Sequence, residues 1–302
     1  MPTPELTNPR SERVRGVRAL AGRSVRSRRG RFVAEGPQSV REAVAAHAAA
    51  VARGAGPVVL DLYVTENAAQ RHPEILEQAR GGGLDPVPVT EDVLAAMTGT
   101  VTPQGLLAVC PTTAVGVSLD DVVAARPRLV AVLDRVRDPG NAGTVLRAAD
   151  AAGADAVVLT RDSVDPLNPK CVRSTAGSLF HLPVVTGPSL GEVVAGLRRG
   201  GLAVLAADGT GEHDLDDLAD DAARALARPV ASGGAGSARS TPDLRTPTAW
   251  VFGNEAAGLD DAGRAAADAV VRVPLHGRAE SLNLATAAVV CLYASARAQR
   301  RG

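Results

Sequence analysis

Lysine is all but missing from this 302-residue chain: Lys170 is the only one, and arginine carries nearly all of the positive charge. Aromatic side chains are scarce too, with three Phe, two Tyr and one Trp. That counts against RNA modules that stack bases on exposed rings, so any RNA contact must come from arginine, backbone and shape. The three cysteines, Cys110, Cys171 and Cys291, lie far apart without metal-type spacing. A sparse, odd set points to a reducing compartment with no disulfide framework, each thiol acting as a small core hydrophobe. His181, His213 and His276 are scattered, so no metal site is expected. Formal net charge is zero, which leaves no global field to draw the chain to nucleic acid or membrane. Neither a signal peptide nor a long apolar run is visible, and a soluble, cytoplasmic protein is the expectation.

Charge is distributed unevenly. Between Arg10 and Arg31 nine arginines face one acid, Glu12. Val14, Val17, Leu20 and Val25 thread this run with a thin apolar stripe, which predicts one or two short helices after a frayed Met1–Asn8. The run fits a solvated face or a disordered tail and equally a phosphate-contacting edge, for which Arg23, Arg26, Arg28, Arg29 and Arg31 are the candidates. Beyond it the pattern predicts a strand over Arg31–Glu35, a helix over Pro37–Ala52, a strand over Val58–Val64, a helix over His72–Arg80, a strand over Pro86–Val89, a helix over Glu91–Met97 and a strand over Leu106–Cys110. Residues 1–112 thus form a small α/β unit, and 113–128 a connector.

A second α/β series fills 129–302. Buried strands are expected at Leu129–Leu133, Ala156–Thr160, Pro183–Val185, Leu202–Ala206, Thr248–Phe252 and Ala269–Leu275. Helices are expected over Ala142–Ala152, Asn168–Phe180, Leu190–Arg199 and Ser281–Arg297. Such alternation implies a parallel sheet with right-handed crossovers. Residues 228–247, rich in Gly, Ser, Pro and Thr, read as a surface insertion. Ser281 is a good N-cap type for the last helix, whose alanine-rich faces predict packing on more than one side. Strand ends that deliver Gly253, Asn254, Glu255, Ser281 and Asn283 to one sheet edge make a ligand crevice.

The turn after Leu129–Leu133 carries Asp138, Pro139, Gly140, Asn141 and Gly143. Its spacing is G-x-x-G, not G-x-G-x-x-G, and no acid ends the next strand, so a nicotinamide oxidoreductase fits poorly. Ser281 lacks a His–Asp pattern, which argues against a serine hydrolase. Arg147 stands in the alanine-rich helix that follows, and taken alone it fits an exposed arginine paired with Asp150.

Three segments, N-A-G-T-V-L-R-A-A-D-A-A-G (141–153), V-F-G-N-E-A-A-G-L (251–259) and V-P-L-H-G-R-A-E-S-L-N-L-A-T-A-A (273–288), resemble in order and spacing the three signature motifs of the SpoU (TrmH-like) RNA ribose 2′-O-methyltransferases of the SPOUT superfamily. The start of the chain, with G-R-F-V-A-E-G-P and later T-P-Q-G-L-L-A-V, is similar to that family's ribosomal-protein-like (L30e-like) substrate-binding domain. Leu275 and Leu284 depart from the Met and Val often found there, both apolar exchanges.

The resemblance implies a trefoil-knotted, parallel-sheet methyltransferase domain that binds S-adenosylmethionine. Gly253, Val273 and Leu282 match residues whose backbone surrounds the adenosine, with Leu275 and Ser281 nearby. Arg147 matches an arginine that assists removal of the ribose proton. Its guanidinium stays protonated, so orienting the hydroxyl and stabilising developing charge is the expected role. Asn141 and Asn283 are expected to position the ribose and the motif loops, and Glu255 to brace Arg147 or its neighbouring loop. A homodimer is implied, with the active site completed near the subunit interface. The leading reading is 2′-O-methylation of structured RNA, ribosomal RNA foremost. Transfer RNA, an antibiotic-resistance methylase on ribosomal RNA and a non-catalytic RNA-binding protein are the alternatives.

Overall fold

Buried valines at helical spacing turn the arginine-rich start into structure. In the computed structural model, which describes residues 6–227 and 241–301, Val14 and Val17 are buried on α1 (Glu12–Arg18), with α2 (Arg23–Arg29) close behind. Ser11 caps α1 by accepting from Val14 N at 3.3 Å, and Gly30 ends α2 at φ 60°. Leu6 bridges Val89, so the chain is ordered earlier than expected; Met1–Glu5 lie outside the described residues.

The chain divides into two units, and the first comprises Met1–Gly116 with Asp165–His181. After α2 come β1 (Arg31–Glu35), α3 (Pro37–Ala52), β2 (Asp61–Val64), α4 (Glu66–Arg71), α5 (Pro73–Gly81), β3 (Val87–Pro88), α6 (Glu91–Met97) and β4 (Leu106–Pro111). The sequence assigns no element to α4. The sheet order is β1-β4-β2-β3, with β4 antiparallel to both its neighbours. Gly105, at φ 84°, turns into β4 where a Cβ would stand 2.5 Å from Ala68 Cβ, which accounts for the glycine of T-P-Q-G.

The second unit comprises Val117–Val164 and Leu182–Gly302. In chain order its stretch runs α7 (Leu119–Ala124), β5 (Leu129–Leu133), α8 (Pro139–Ala152), β6 (Ala156–Leu159), α9 (Pro169–Ser174), β7 (Val184–Thr186), α10 (Leu190–Arg199), β8 (Ala203–Ala207), β9 (His213–Asp214), α11 (Leu215–Ala227), β10 (Thr248–Phe252), α12 (Asp261–Ala266), β11 (Ala269–Arg272) and α13 (Leu284–Arg301). Of these, α9 belongs to the first unit. It packs on β1, and its segment is tied in by Arg26–Asp165 at 2.5 Å, Arg173–Glu35 at 3.2 Å and His181–Glu42 at 3.1 Å. The helix expected over Asn168–Phe180 stops at Ser174, because Ala176 and Gly177 adopt φ 51° and 101°.

All neighbours in the second unit's sheet are parallel, in the order β7-β6-β5-β10-β8-β11-β9. Chain order reverses between β5 and β10, the switch point where open α/β sheets hold ligands. Phe252 pairs with Leu133 on one side and Ala207 on the other, so the loops after β5, β8 and β10 leave the sheet level with one another. α13 packs along α8, and Trp250 Nε1 donates to Ser295 Oγ at 2.9 Å in the core beneath it. The sequence leaves β9 and α11 unassigned. Most of the expected insertion, 228–240, lies outside the described residues.

Two sequence expectations need correction here. The strand expected to reach Leu275 ends at Arg272. The last helix opens at Leu284 and its cap is Asn283, not Ser281: Asn283 Oδ1 accepts from Ala285 N at 2.9 Å and Thr286 N at 3.4 Å. Ser281 lies exposed in the loop before it.

Candidate functional site

The level strand ends and the irregular stretch 273–283 enclose a cavity of about 380 Å³. Gly253, Val273, Leu275, Ser281 and Leu282 all line it, together with Asp208, Asn254 and Glu280. Gly253 is fixed by space: a Cβ there would stand 2.5 Å from the Gly258 carbonyl oxygen and Leu259 N, so no side chain fits without moving backbone. Asp208 escaped sequence reasoning because nothing in A-A-D-G-T marks it. Its carboxylate accepts from Thr210 N at 3.0 Å and Oγ1 at 2.7 Å. Burial opposes ionisation there, but these bonds and Arg264 hold the pKa below the usual carboxylate value.

The three motif segments meet beside this cavity. Glu255 Oε1 and Oε2 accept from Asp138 N at 2.9 Å and Arg137 N at 3.1 Å. Glu255 Oε1 also accepts from Asn141 Nδ2 at 3.3 Å, and Asn141 Oδ1 accepts from Asn283 Nδ2 at 3.2 Å. Asp138 caps α8 through Asn141 N at 2.7 Å. One carboxylate therefore gathers the turn after β5, and two amides link that turn to the start of α13. Burial pushes the Glu255 carboxyl upward, yet the backbone donors of Asp138 and Arg137 outweigh it and hold the pKa below the ordinary glutamate range.

Arg147 lies apart from this network. It is exposed on α8, does not line the cavity, and its side chain makes no hydrogen bond or ion pair with any described residue. Glu255 is expected to brace Arg147 or its neighbouring loop; its hydrogen bonds run to that loop, at Arg137, Asp138 and Asn141. Among the candidate RNA-binding arginines of the first unit, Arg23, Arg28 and Arg31 are exposed, and Arg29 is exposed while donating to Gly16 O at 2.9 Å. Arg26 is a correction. It is 3 % exposed, donates to the Leu20 and Ala21 carbonyls and pairs with Asp165, so its guanidinium is spent within the fold. Cys110 and Cys291 are buried, which raises both thiol pKa values and makes them poor nucleophiles.

The lining suits a small cofactor. A cavity of this size falls within the range of about 300–1,000 Å³ usual for such sites, and it offers apolar walls from Phe252, Leu275, Leu282 and Leu284 beside exposed backbone and a few polar groups. A parallel sheet with its ligand crevice at the switch point, joined to three converging motif loops, is the arrangement of a small-ligand site in an open α/β fold. Comparison with known proteins agrees: the chain belongs to the SpoU rRNA methylase family, whose description matches residues 128–293, while residues 11–108 match the MRM3-like substrate-binding domain. By class it is an S-adenosylmethionine-dependent RNA ribose 2′-O-methyltransferase. It is 31 % identical to a 23S rRNA (guanosine(2553)-2′-O)-methyltransferase of Bacillus subtilis, over 96 % of this chain and 98 % of that one. Among solved structures it is similar to an AdoMet-bound rRNA methyltransferase from Sinorhizobium meliloti, with TM-score 0.76, 28 % identity and 98 % of each chain covered. It is also similar to the SpoU methyltransferase AviRb from Streptomyces viridochromogenes in complex with AdoMet, with TM-score 0.72, 30 % identity, and 97 % of this chain and 100 % of that one covered. No helix among the described residues is long and apolar enough to cross a membrane.

Proposed function

We propose that this chain methylates a ribose 2′-hydroxyl in ribosomal RNA in the cytoplasm, with the cofactor held in the cavity lined by Gly253, Val273, Leu275, Ser281 and Leu282. The observation that carries the assignment is the Glu255–Asn141–Asn283 network, which joins the three motif segments beside that cavity. When bound there, S-adenosylmethionine supplies an electrophilic methyl group. The ribose hydroxyl must lose its proton as it attacks. The hydroxyl proton would pass to solvent as the oxygen–methyl bond forms and the sulfonium carbon–sulfur bond breaks to release the thioether. Arg147, which stays protonated, orients the hydroxyl and an adjacent phosphate and stabilises the oxygen's developing charge. Asn141 and Asn283 hold the loops that seat the ribose, and Ser281 contributes its hydroxyl at the cavity wall. The threading of the C-terminal segment into a knot, implied by the family resemblance, is part of this proposal.

A second copy of the chain completes the site in this reading. Val289, Val290 and Tyr293 are exposed on α13, and with Ala219, Ala222 and Leu226 of α11 they line an apolar groove of about 730 Å³. Exposed apolar surface of this kind marks an interface. Arg147 rises from α8, which packs along α13; in this reading it serves the partner's cavity and not its own. Arg23, Arg28, Arg29 and Arg31 then contact RNA phosphates. Incubating the purified chain with methyl-labelled cofactor and either ribosomal or transfer RNA, followed by mapping of ribose methylation, tests the proposal. Label in a 2′-O-methyl nucleotide of ribosomal RNA is expected; label confined to transfer RNA, or none, overturns it.

A further inference from the structure

Arg135 adopts φ 54°, in the left-handed region that residues other than glycine avoid. Its side chain is clamped from two sides. Nε donates to Asp134 Oδ2 at 2.9 Å and Nη1 pairs with Asp260 Oδ2 at 2.9 Å. Its backbone N donates to Thr160 Oγ1 at 3.1 Å, and that hydroxyl donates to Asp134 Oδ1 at 2.9 Å. Asp134 and Thr160 are both buried, so the clamp is anchored in the core.

The turn fixes the direction of one carbonyl. Arg135 O accepts from Asn254 Nδ2 at 2.9 Å. With its amide oriented in this way, Asn254 Oδ1 accepts from Ala256 N at 3.0 Å and Ala257 N at 3.1 Å. Asn254, Ala256 and Ala257 line the cofactor cavity; Arg135 does not. We propose that Arg135 is a positioning residue for cofactor binding: its ion-paired side chain stabilises a left-handed turn whose carbonyl, acting through Asn254, sets the cavity wall between Gly253 and Gly258. The inference rests on the assignment of that cavity to S-adenosylmethionine.

Backbone and charge can be separated chemically, because a β-branched residue tolerates positive φ worst and glycine best. Binding of S-adenosylhomocysteine to the full-length chain is measured by calorimetry for the parent, Arg135→Val, Arg135→Gly, Asn254→Ala and the Arg135→Val/Asn254→Ala double variant, with melting curves to confirm folding. Arg135→Val is expected to weaken binding about tenfold, and Arg135→Gly to restore it to within about threefold of the parent. The double variant is expected to lose little more than either single one, since both act through the same loop. If Arg135→Val melts below the assay temperature, Arg135→Ala replaces it with the same expected direction. Equal losses in the valine and glycine variants, no loss in either, or losses that add in full with Asn254→Ala overturn the inference. A parent chain that fails to bind overturns the cavity assignment itself, and this inference with it.

Discussion

At the scale of single residues, the site separates groups that build the cavity from a group that acts on substrate. Arg147 is exposed and has no ion pair among the described residues, while Glu255 accepts from several donors, so their substitutions should fail differently. Arg147→Ala is expected to lower methyl transfer by about 10²- to 10³-fold, the scale of losing one charge-stabilising donor, and to leave cofactor affinity near that of the parent. Calorimetry beside a methylation assay checks this; a parallel loss of cofactor binding would contradict the role. Glu255 has a depressed folded-state pKa. Its stabilising contribution is therefore complete above the unfolded glutamate value of about 4.3 and is lost as pH falls through the lower folded value. The difference in melting temperature between the parent and Glu255→Gln should be constant from neutral pH down to about pH 5 and shrink below that. A difference that grows on acidification would show the sign to be wrong.

Elements with strong apolar patterns were legible in the sequence, and those defined by a single side-chain hydrogen bond were not. Leu129–Leu133 and Thr248–Phe252 begin and end where the pattern places them, because burial on both faces leaves a parallel strand no polar position to blur its limits. The helix Leu190–Arg199 does so because Ser189 and Glu192 form a capping box at its start. The opening of α13 was misplaced: Ser281 and Asn283 are both good cap types, and only the Asn283 bonds to Ala285 and Thr286 decide between them. For α11, Leu215, Leu218 and Ala222 are buried at helical spacing, a signal present in the sequence but interrupted by acids. The cavity residues followed from motif resemblance. Asp208 and Arg135 carry no local signature, and their importance appears only once the turns after β5, β8 and β10 are seen side by side. The two amide functions of Asn283 can be tested separately. Asn283→Asp keeps the capping oxygen but removes the donor to Asn141, whereas Asn283→Ala removes both. Only Asn283→Ala is expected to cost about 1 kcal/mol of stability, and both should slow methyl transfer. Equal melting temperatures for the two variants would dissociate the residue from capping.

At the scale of the whole molecule, a chain of zero net charge pairs several of its second-unit arginines with its own carboxylates, as in Arg198–Asp268, Arg264–Asp261 and Arg272–Asp214. It also leaves an apolar face on α13 in which Tyr293 is 49 % exposed. A charge placed there must be desolvated if a second copy covers it. Tyr293→Glu is accordingly expected to sediment at the mass of one chain where the parent sediments at two, with methyl transfer falling alongside. A variant that stays at the parent's mass would remove α13 from the interface.

The strip from Asp165 to His181 is held to the N-terminal unit by Arg26, Glu35 and Glu42, although it is encoded inside the methyltransferase stretch. No single cut in the gene therefore releases the substrate-recognition half whole. Anyone grafting that half onto another enzyme must carry the strip along, or leave Arg26 and Glu35 stranded without their counterions.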